Sequence, residues 1–249
     1  MSANRLLLLW TLLGLVLVIG WQPAAPGLDL SGAWVCHLTD GTLPEVTAVR
    51  IFSKGYMMEA RYVSSGGAFV SAVGGPYQWQ SGRLVLTTDF DTRDSLRVGS
   101  AETWKVTELA VDRIRLTRQA EDTRHVEVWE RLDDGQAPLA GDWRIWSRLG
   151  DDSLMHEMKP GPRKTIKILS GTRFQWTAMN TETRQFLGTG GGTYVFENGV
   201  YTEKIEFFSR DVSRVGATLS FQGSVTGDDW THSGKSSRGQ YIREVWRRE

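Results

Sequence analysis

The stretch Gly191-Gly192-Thr193-Tyr194-Val195-Phe196-Glu197-Asn198-Gly199-Val200-Tyr201-Thr202 reads as two β-strands around a tight turn. Its Tyr, Val, Phe and Thr side chains suit a pleated, half-buried surface. Asn-Gly readily takes the positive φ angles that a two-residue hairpin needs. A shift of 117 residues towards the N-terminus finds the same hairpin again. There Gly74-Gly75-Pro76-Tyr77 opens the first strand, and Trp79-Gln80-Ser81-Gly82-Arg83-Leu84 turns through Ser-Gly.

The same shift aligns the chain without a gap from about Val49 to Arg131. Ile51 and Ser53 fall on Ile168 and Ser170, and Phe69 falls on Phe186. Arg97-Val98-Gly99 falls on Arg214-Val215-Gly216, and Glu127-Val128-Trp129 falls on Glu244-Val245-Trp246. The copies open alike too, with Leu30-Ser31-Gly32-Ala33-Trp34 matching Leu139-Ala140-Gly141-Asp142-Trp143 at an offset of 109. The second copy therefore carries extra residues in the Asp151 to Pro162 loop. An internal repeat of this kind sets the domain organisation. The first unit spans residues 28–132, a polar Gly- and Pro-containing linker spans 133–138, and the second unit spans 139–249. Beyond residue 27 no segment shows a long 3.6-residue apolar period. Many short strands joined by hairpins point to two tandem up-and-down antiparallel β-barrels, because closure removes the exposed edges.

Composition narrows the function classes. The 249 residues are 40% hydrophobic and 23% charged, which is ordinary globular composition. Net charge is zero, so no bulk field draws the chain to nucleic acid or acidic lipid. The lone Cys36 rules out an intramolecular disulfide, and it reads as a small buried strand residue. No spacing of His and Cys suggests a metal, and no motif suggests a cofactor. Residues 1–27 read as a signal peptide or an N-terminal anchor: Arg5 precedes an uncharged apolar run from Leu6 to Trp21. Small residues follow, but Pro26 disfavours cleavage directly after Ala25, so both alternatives stand. The expected location is extracytoplasmic, periplasmic or secreted, with membrane attachment only through that segment.

Each unit begins with Gly-x-Trp and ends with Trp-x-Arg, a pattern that resembles the lipocalin and calycin superfamily. The resemblance implies that a first-strand Trp plugs one barrel end and a late Arg packs across it. Here the pairs would be Trp34 with Arg131, and Trp143 with Arg248. The second unit also carries Lys167-Ile168-Leu169-Ser170, Phe174-x-Trp176, Gly190-Gly191-Gly192-Thr193-Tyr194, Tyr201-Thr202-Glu203, Asp229-Trp230-Thr231-His232-Ser233-Gly234-Lys235 and Glu244-Val245-Trp246. In these stretches it is similar to a bacterial family of secreted lipocalin-like domains of unknown function. The resemblance implies small-molecule binding only as a superfamily tendency, since fold does not fix function.

Comparing the copies picks out a candidate site. Tyr201, Glu203, Ile205 and Phe207 share one strand face, and the two apolar members suggest that it points inward. A carboxylate there needs a partner. The first copy has Leu84 and Leu86 in place of Tyr201 and Glu203. Trp230 and His232 share another face, and the gapless shift sets them against Arg113 and Arg115. Trp176 is set against Glu59. Trp176, Tyr201, Glu203, Trp230 and His232, with Tyr194 as a weaker member, form the expected ligand-binding set. The expected function is binding of a small apolar or amphipathic ligand in the second barrel. The alternatives are an interaction module with filled barrels, or an enzyme using Glu203 and His232 as an acid/base pair. No catalytic residue is assigned.

Overall fold

The structure is a computed structural model that describes residues 28–38, 41, 44–120 and 123–249. The expected signal or anchor at 1–27 lies outside them. The first unit contains β1 (Gly32–Leu38), β2 (Val46–Phe52), β3 (Tyr56–Val63), β4 (Phe69–Gln80), β5 (Arg83–Thr87), β6 (Phe90–Asp91), β7 (Ala101–Ala110), β8 (Arg113–Ala120) and β9 (Thr123–Asp133). The second contains β10 (Gly141–Leu149), β11 (Met155–Glu157), β12 (Arg163–Leu169), β13 (Arg173–Asn180), β14 (Gln185–Glu197), β15 (Val200–Phe208), β16 (Thr218–Thr226), β17 (Asp229–Lys235) and β18 (Tyr241–Arg248). Each unit closes as an eight-stranded antiparallel barrel. The first strand of each pairs with the last, β1 with β9 and β10 with β18. The extra residues of the second copy form β11, a short strand paired to the end of β10.

Local chemistry explains these elements. Asn198 and Gly199 adopt φ of 51° and 77°, and Ser81 and Gly82 adopt the same pair, as a hairpin turn of this type requires. The Gly191-Gly192 pair sits at a bulge. β14 and β15 slip register between Gly191 and Gly192. A Cβ on Gly192 would lie 2.0 Å from the Lys204 carbonyl oxygen, and one on Gly75 would lie 2.0 Å from that of Thr87.

The Trp of each Gly-x-Trp and the Arg of each Trp-x-Arg meet in both copies. The Arg131 guanidinium lies 4.1 Å from the Trp34 ring centroid, and that of Arg248 lies 4.1 Å from Trp143. Each Trp donates its indole N–H to a backbone carbonyl four residues earlier, Leu30 and Leu139, at 2.9 Å. Both indoles are fully buried.

Runs such as Val49-Arg50-Ile51-Phe52 and Ile166-Lys167-Ile168-Leu169 are apolar on two faces for a reason outside either barrel. The barrels pack on each other through the outer faces of β2, β3, β12 and β13. Val49, Ile51, Met58, Ala60 and Tyr62 join Ile166, Ile168, Met179 and Phe207 in one cluster. Phe69 stacks on its own counterpart Phe186, with centroids 6.2 Å apart and planes 3° apart. The pairs Phe69–Phe207 and Phe90–Phe186, related by the 117-residue shift, are both at 6.4 Å. Each copy thus presents the same patch to the other, as in a two-fold homodimer. Asp133, at the end of β9, fastens the join. It accepts hydrogen bonds from Ser170 Oγ (2.8 Å), Gly171 N (2.8 Å), Thr172 N (3.0 Å) and Thr172 Oγ1 (2.7 Å).

Candidate functional site

Tyr201 and Glu203 do point into the second barrel, but not for the reason their strand pattern suggests. The bulge in β15 breaks the alternation after Ile205 and turns Phe207 outward. Phe207 instead stacks on Tyr62 of the first barrel, centroids 5.2 Å apart. Inside, the Glu203 carboxylate accepts hydrogen bonds from Lys167 Nζ (3.0 Å) and Tyr201 OH (2.9 Å). Burial pushes the Tyr201 phenol well above its ordinary pKa, and the Glu203 charge adds to that, so Tyr201 remains a donor. Lys167 comes from β12. Its ammonium lies 4.6 Å from the Tyr201 ring centroid, 5.0 Å from Phe174, 5.3 Å from Trp230 and 5.9 Å from Trp246. An ammonium so enclosed is stabilised by the ring faces as well as by its carboxylate.

Trp230 and His232 lie next along the wall, on β17, ring centroids 4.9 Å apart. β18 faces them, pairing Trp230 with Trp246 and His232 with Glu244. His232 Nε2 lies 3.0 Å from Glu244 Oε2, and Trp246 Nε1 donates to the same oxygen at 3.1 Å. Burial raises the Glu244 carboxyl, but the His232 hydrogen bond and the charges of His232 and Lys167 outweigh it, leaving it below the ordinary value. Trp246 Nε1 lies 3.1 Å from His232 Nε2 as well, and an ionised Glu244 favours a proton on Nε2, on the neutral ring or the imidazolium, with the indole N–H then donating to Glu244. Trp230 Nε1 and His232 Nδ1 are buried and have no hydrogen-bond partner among the described residues.

The first barrel solves the same interior differently. Arg50 occupies the Lys167 position and lies 4.4 Å from the Trp129 ring. It pairs with Glu59, which also accepts from Arg61 Nε (2.6 Å), and Arg61 reaches Glu127 (2.6 Å). The gapless shift fails along β8. Ile114 pairs with Trp129 and Leu116 with Glu127, so the true counterparts of Trp230 and His232 are Ile114 and Leu116, not Arg113 and Arg115. The cause is a bulge between Glu108 and Ala110 that adds one residue to β7. The longer β17–β18 turn restores the offset of 117. Ile114 and Leu116 are fully buried and carry no polar atom.

Other expected members take separate places. Trp176 sits half-buried against the interior cluster, 5.5 Å from the Phe208 ring. Tyr194 touches Tyr201 at 5.6 Å, but its hydroxyl donates to the Ser170 carbonyl (2.6 Å). Tyr77 makes the same bond to Ser53 (2.7 Å), so that contact belongs to the frame. Glu203 and His232 do not bond to each other, since each is held by its own partners. Pattern reading missed Lys167, Glu244 and Trp246. The opposition of Lys167 to Ile166 and Ile168 on its strand was the available signal, but alternation alone does not say which of the two faces is the interior.

The cavities among the described residues include three that lie away from the expected site. One of about 20 Å³ lies in the first barrel beneath Arg50, Glu59, Arg61 and Trp104. One of about 10 Å³ and an open groove of about 390 Å³ lie between the barrels. None of the three is lined by the six expected ligand residues. Among the described residues no group of three or more His, Cys, Asp or Glu side chains has metal-binding geometry.

No family model and no curated protein matches the chain. Among solved structures it is similar to a lipocalin-like protein from Bacteroides uniformis, at 11% identity and a TM-score of 0.33. That match covers 45% of this chain and all of the other.

Proposed function

We propose that this is an exported protein whose second barrel binds a small amphipathic ligand. The ligand's apolar part lies among the Tyr201, Phe221 and Trp230 rings, and its polar group takes up Trp230 Nε1 and His232 Nδ1. The observation that carries this reading is the pair of buried, unpartnered polar atoms at positions where the first barrel has Ile114 and Leu116. An unpaired buried polar group costs about 1–3 kcal/mol. The frame folds without these groups, so their presence in one copy fits a partner from outside the chain. Trp230 presents a donor, and His232 Nδ1 presents an acceptor on the neutral ring protonated at Nε2 or a second donor on the imidazolium. A ligand hydroxyl or amide complements each of them. Export is part of the reading and rests on the charge and apolar run of residues 5–21.

Native mass spectrometry of the full chain tests it, beside a variant carrying Trp230→Ile and His232→Leu. This variant rewrites the site with the first barrel's own residues. The expected result is a copurified small molecule on the parent and none on the folded variant. A parent that carries nothing, and takes up nothing from a cell extract, removes the ligand reading. Trp143, Tyr201 and Trp230 are all fully enclosed, and that outcome would leave a filled barrel serving as a scaffold for protein contacts.

A further inference from the structure

The two ends of the barrel–barrel interface should match under the 117-residue shift, and they do not. At one end Lys164 of β12 crosses to the first barrel. Its ammonium bonds Asp89 Oδ2 (2.7 Å), which also accepts from Tyr56 OH (2.9 Å). At the other end Thr47 replaces Lys164, Glu206 replaces Asp89 and Arg173 replaces Tyr56. Thr47 is too short to cross. The opening left there is the groove of about 390 Å³, lined by Thr47, Tyr62 and Ser64 on one barrel and by Arg173, Lys204 and Glu206 on the other. Its volume falls in the range of small-molecule sites, and junctions between domains are a common place for them.

The lining states what would fit. Glu206 accepts from Tyr62 OH (2.9 Å) and is paired with Arg173, so its charge is matched. Lys204 is exposed and has no side-chain partner among the described residues. The lining therefore carries Arg173 and Lys204 against Glu206, an excess of one positive charge. Glu45 stands behind this wall outside the lining, its Oε1 accepting from Ser64 Oγ (3.2 Å) and lying 3.1 Å from His37 Nδ1. Hydroxyls of Thr47 and Ser64, 2.7 Å from each other, lie on one wall, while Tyr62 and Val215 offer apolar surface. We propose that this groove is a second ligand site, separate from the barrel interior, which takes a small organic acid as its anion with an apolar ring against Tyr62 and Val215.

Ligand-observed NMR on the full chain with benzoate and benzylamine as probes tests this. Benzoate should bind saturably and benzylamine should not. Thr47→Lys rebuilds the plug found at the other end, with the new ammonium set to reach Glu206 as Lys164 reaches Asp89. It should raise the Kd for benzoate at least tenfold although it adds positive charge. Lys204→Gln, at an exposed position, should weaken benzoate binding several-fold. Benzoate binding that survives or strengthens in Thr47→Lys would mean general surface attraction and overturn the proposal. So would equal binding of benzylamine, or no uptake of benzoate up to about 10 mM. Neither variant touches Trp230 or His232, so this site and the barrel interior stand or fall separately.

Discussion

The two barrels share a frame and differ in what the frame encloses. Both set a base from the second strand over the Trp of the last strand, Arg50 over Trp129 and Lys167 beside Trp246. In the first barrel the charges answer one another: Arg50 and Arg61 meet Glu59 and Glu127, and the facing β8 positions are aliphatic. In the second, Lys167 stands against Glu203 and Glu244 lies close by, while β8's aliphatic residues are replaced by Trp230 and His232, each with an unpartnered atom. The first interior also holds an unpartnered buried atom, Arg50 Nη1, within its ion-pair network; what the second barrel adds is unpartnered polar groups at wall positions that its copy fills with aliphatic side chains.

The largest expected effect breaks the second interior. Glu203→Leu leaves Lys167 buried without its carboxylate, and should cost about 3–5 kcal/mol in urea unfolding. Adding Lys167→Leu removes the orphaned charge, and the double variant should recover most of that loss, since Leu86 already serves at the Glu203 position of the first barrel. A double variant as unstable as the single one would show that the pair's charge is not what matters.

Acid should sharpen the comparison next. Burial raises the Glu59 carboxyl, but Arg50 and Arg61 outweigh it and hold it at about 2 against an ordinary 4.5. A carboxyl depressed by folding contributes stability that is whole above pH 4.5 and is lost as pH falls through about 2. Glu244 shifts in the same direction, so the second barrel also loses stability below the ordinary carboxylate range. Glu59→Gln should reduce the steepness of stability against pH in that window and leave the Glu244 part. An unchanged slope would contradict the assigned ion pairs.

The interface should respond symmetrically. Phe69→Ala and Phe186→Ala truncate counterparts that stack on each other, and each should cost about 2–3 kcal/mol, with a double variant well short of the sum. Strict additivity would mean that the two rings do not meet. The smallest difference separates the plugs. Arg131 donates to two backbone carbonyls, Ser31 and Asp29, whereas Arg248 donates to one, Ala140. Arg131→Ala should therefore be the more destabilising by about 1 kcal/mol, measured by thermal unfolding.

The fold was legible because its signals are local or repeated. Asn198-Gly199 names its turn, and Trp34, Trp143, Arg131 and Arg248 recur at matching ends of two similar stretches. The site was legible only in part. Tyr201 and Glu203 lie inside as expected, yet Phe207 was no guide to that, because a bulge reverses its face. A second bulge, in β7, moved the counterparts of Trp230 and His232 by one residue, and that one step turns two exposed arginines into two buried aliphatic residues. Bulges leave little trace in a single sequence. Nor does a sequence distinguish an isoleucine facing a barrel's interior from one facing a second barrel, and this hid Lys167.

A high-resolution crystal structure of the full chain, purified without stripping from the cells that make it, decides whether the second barrel is a ligand site. Organic density is expected in the second barrel, with a polar atom within hydrogen-bond distance of Trp230 Nε1 and His232 Nδ1, and none at Ile114 and Leu116. A single ordered water bridging the two atoms, in a barrel otherwise filled by its own rings, would contradict it.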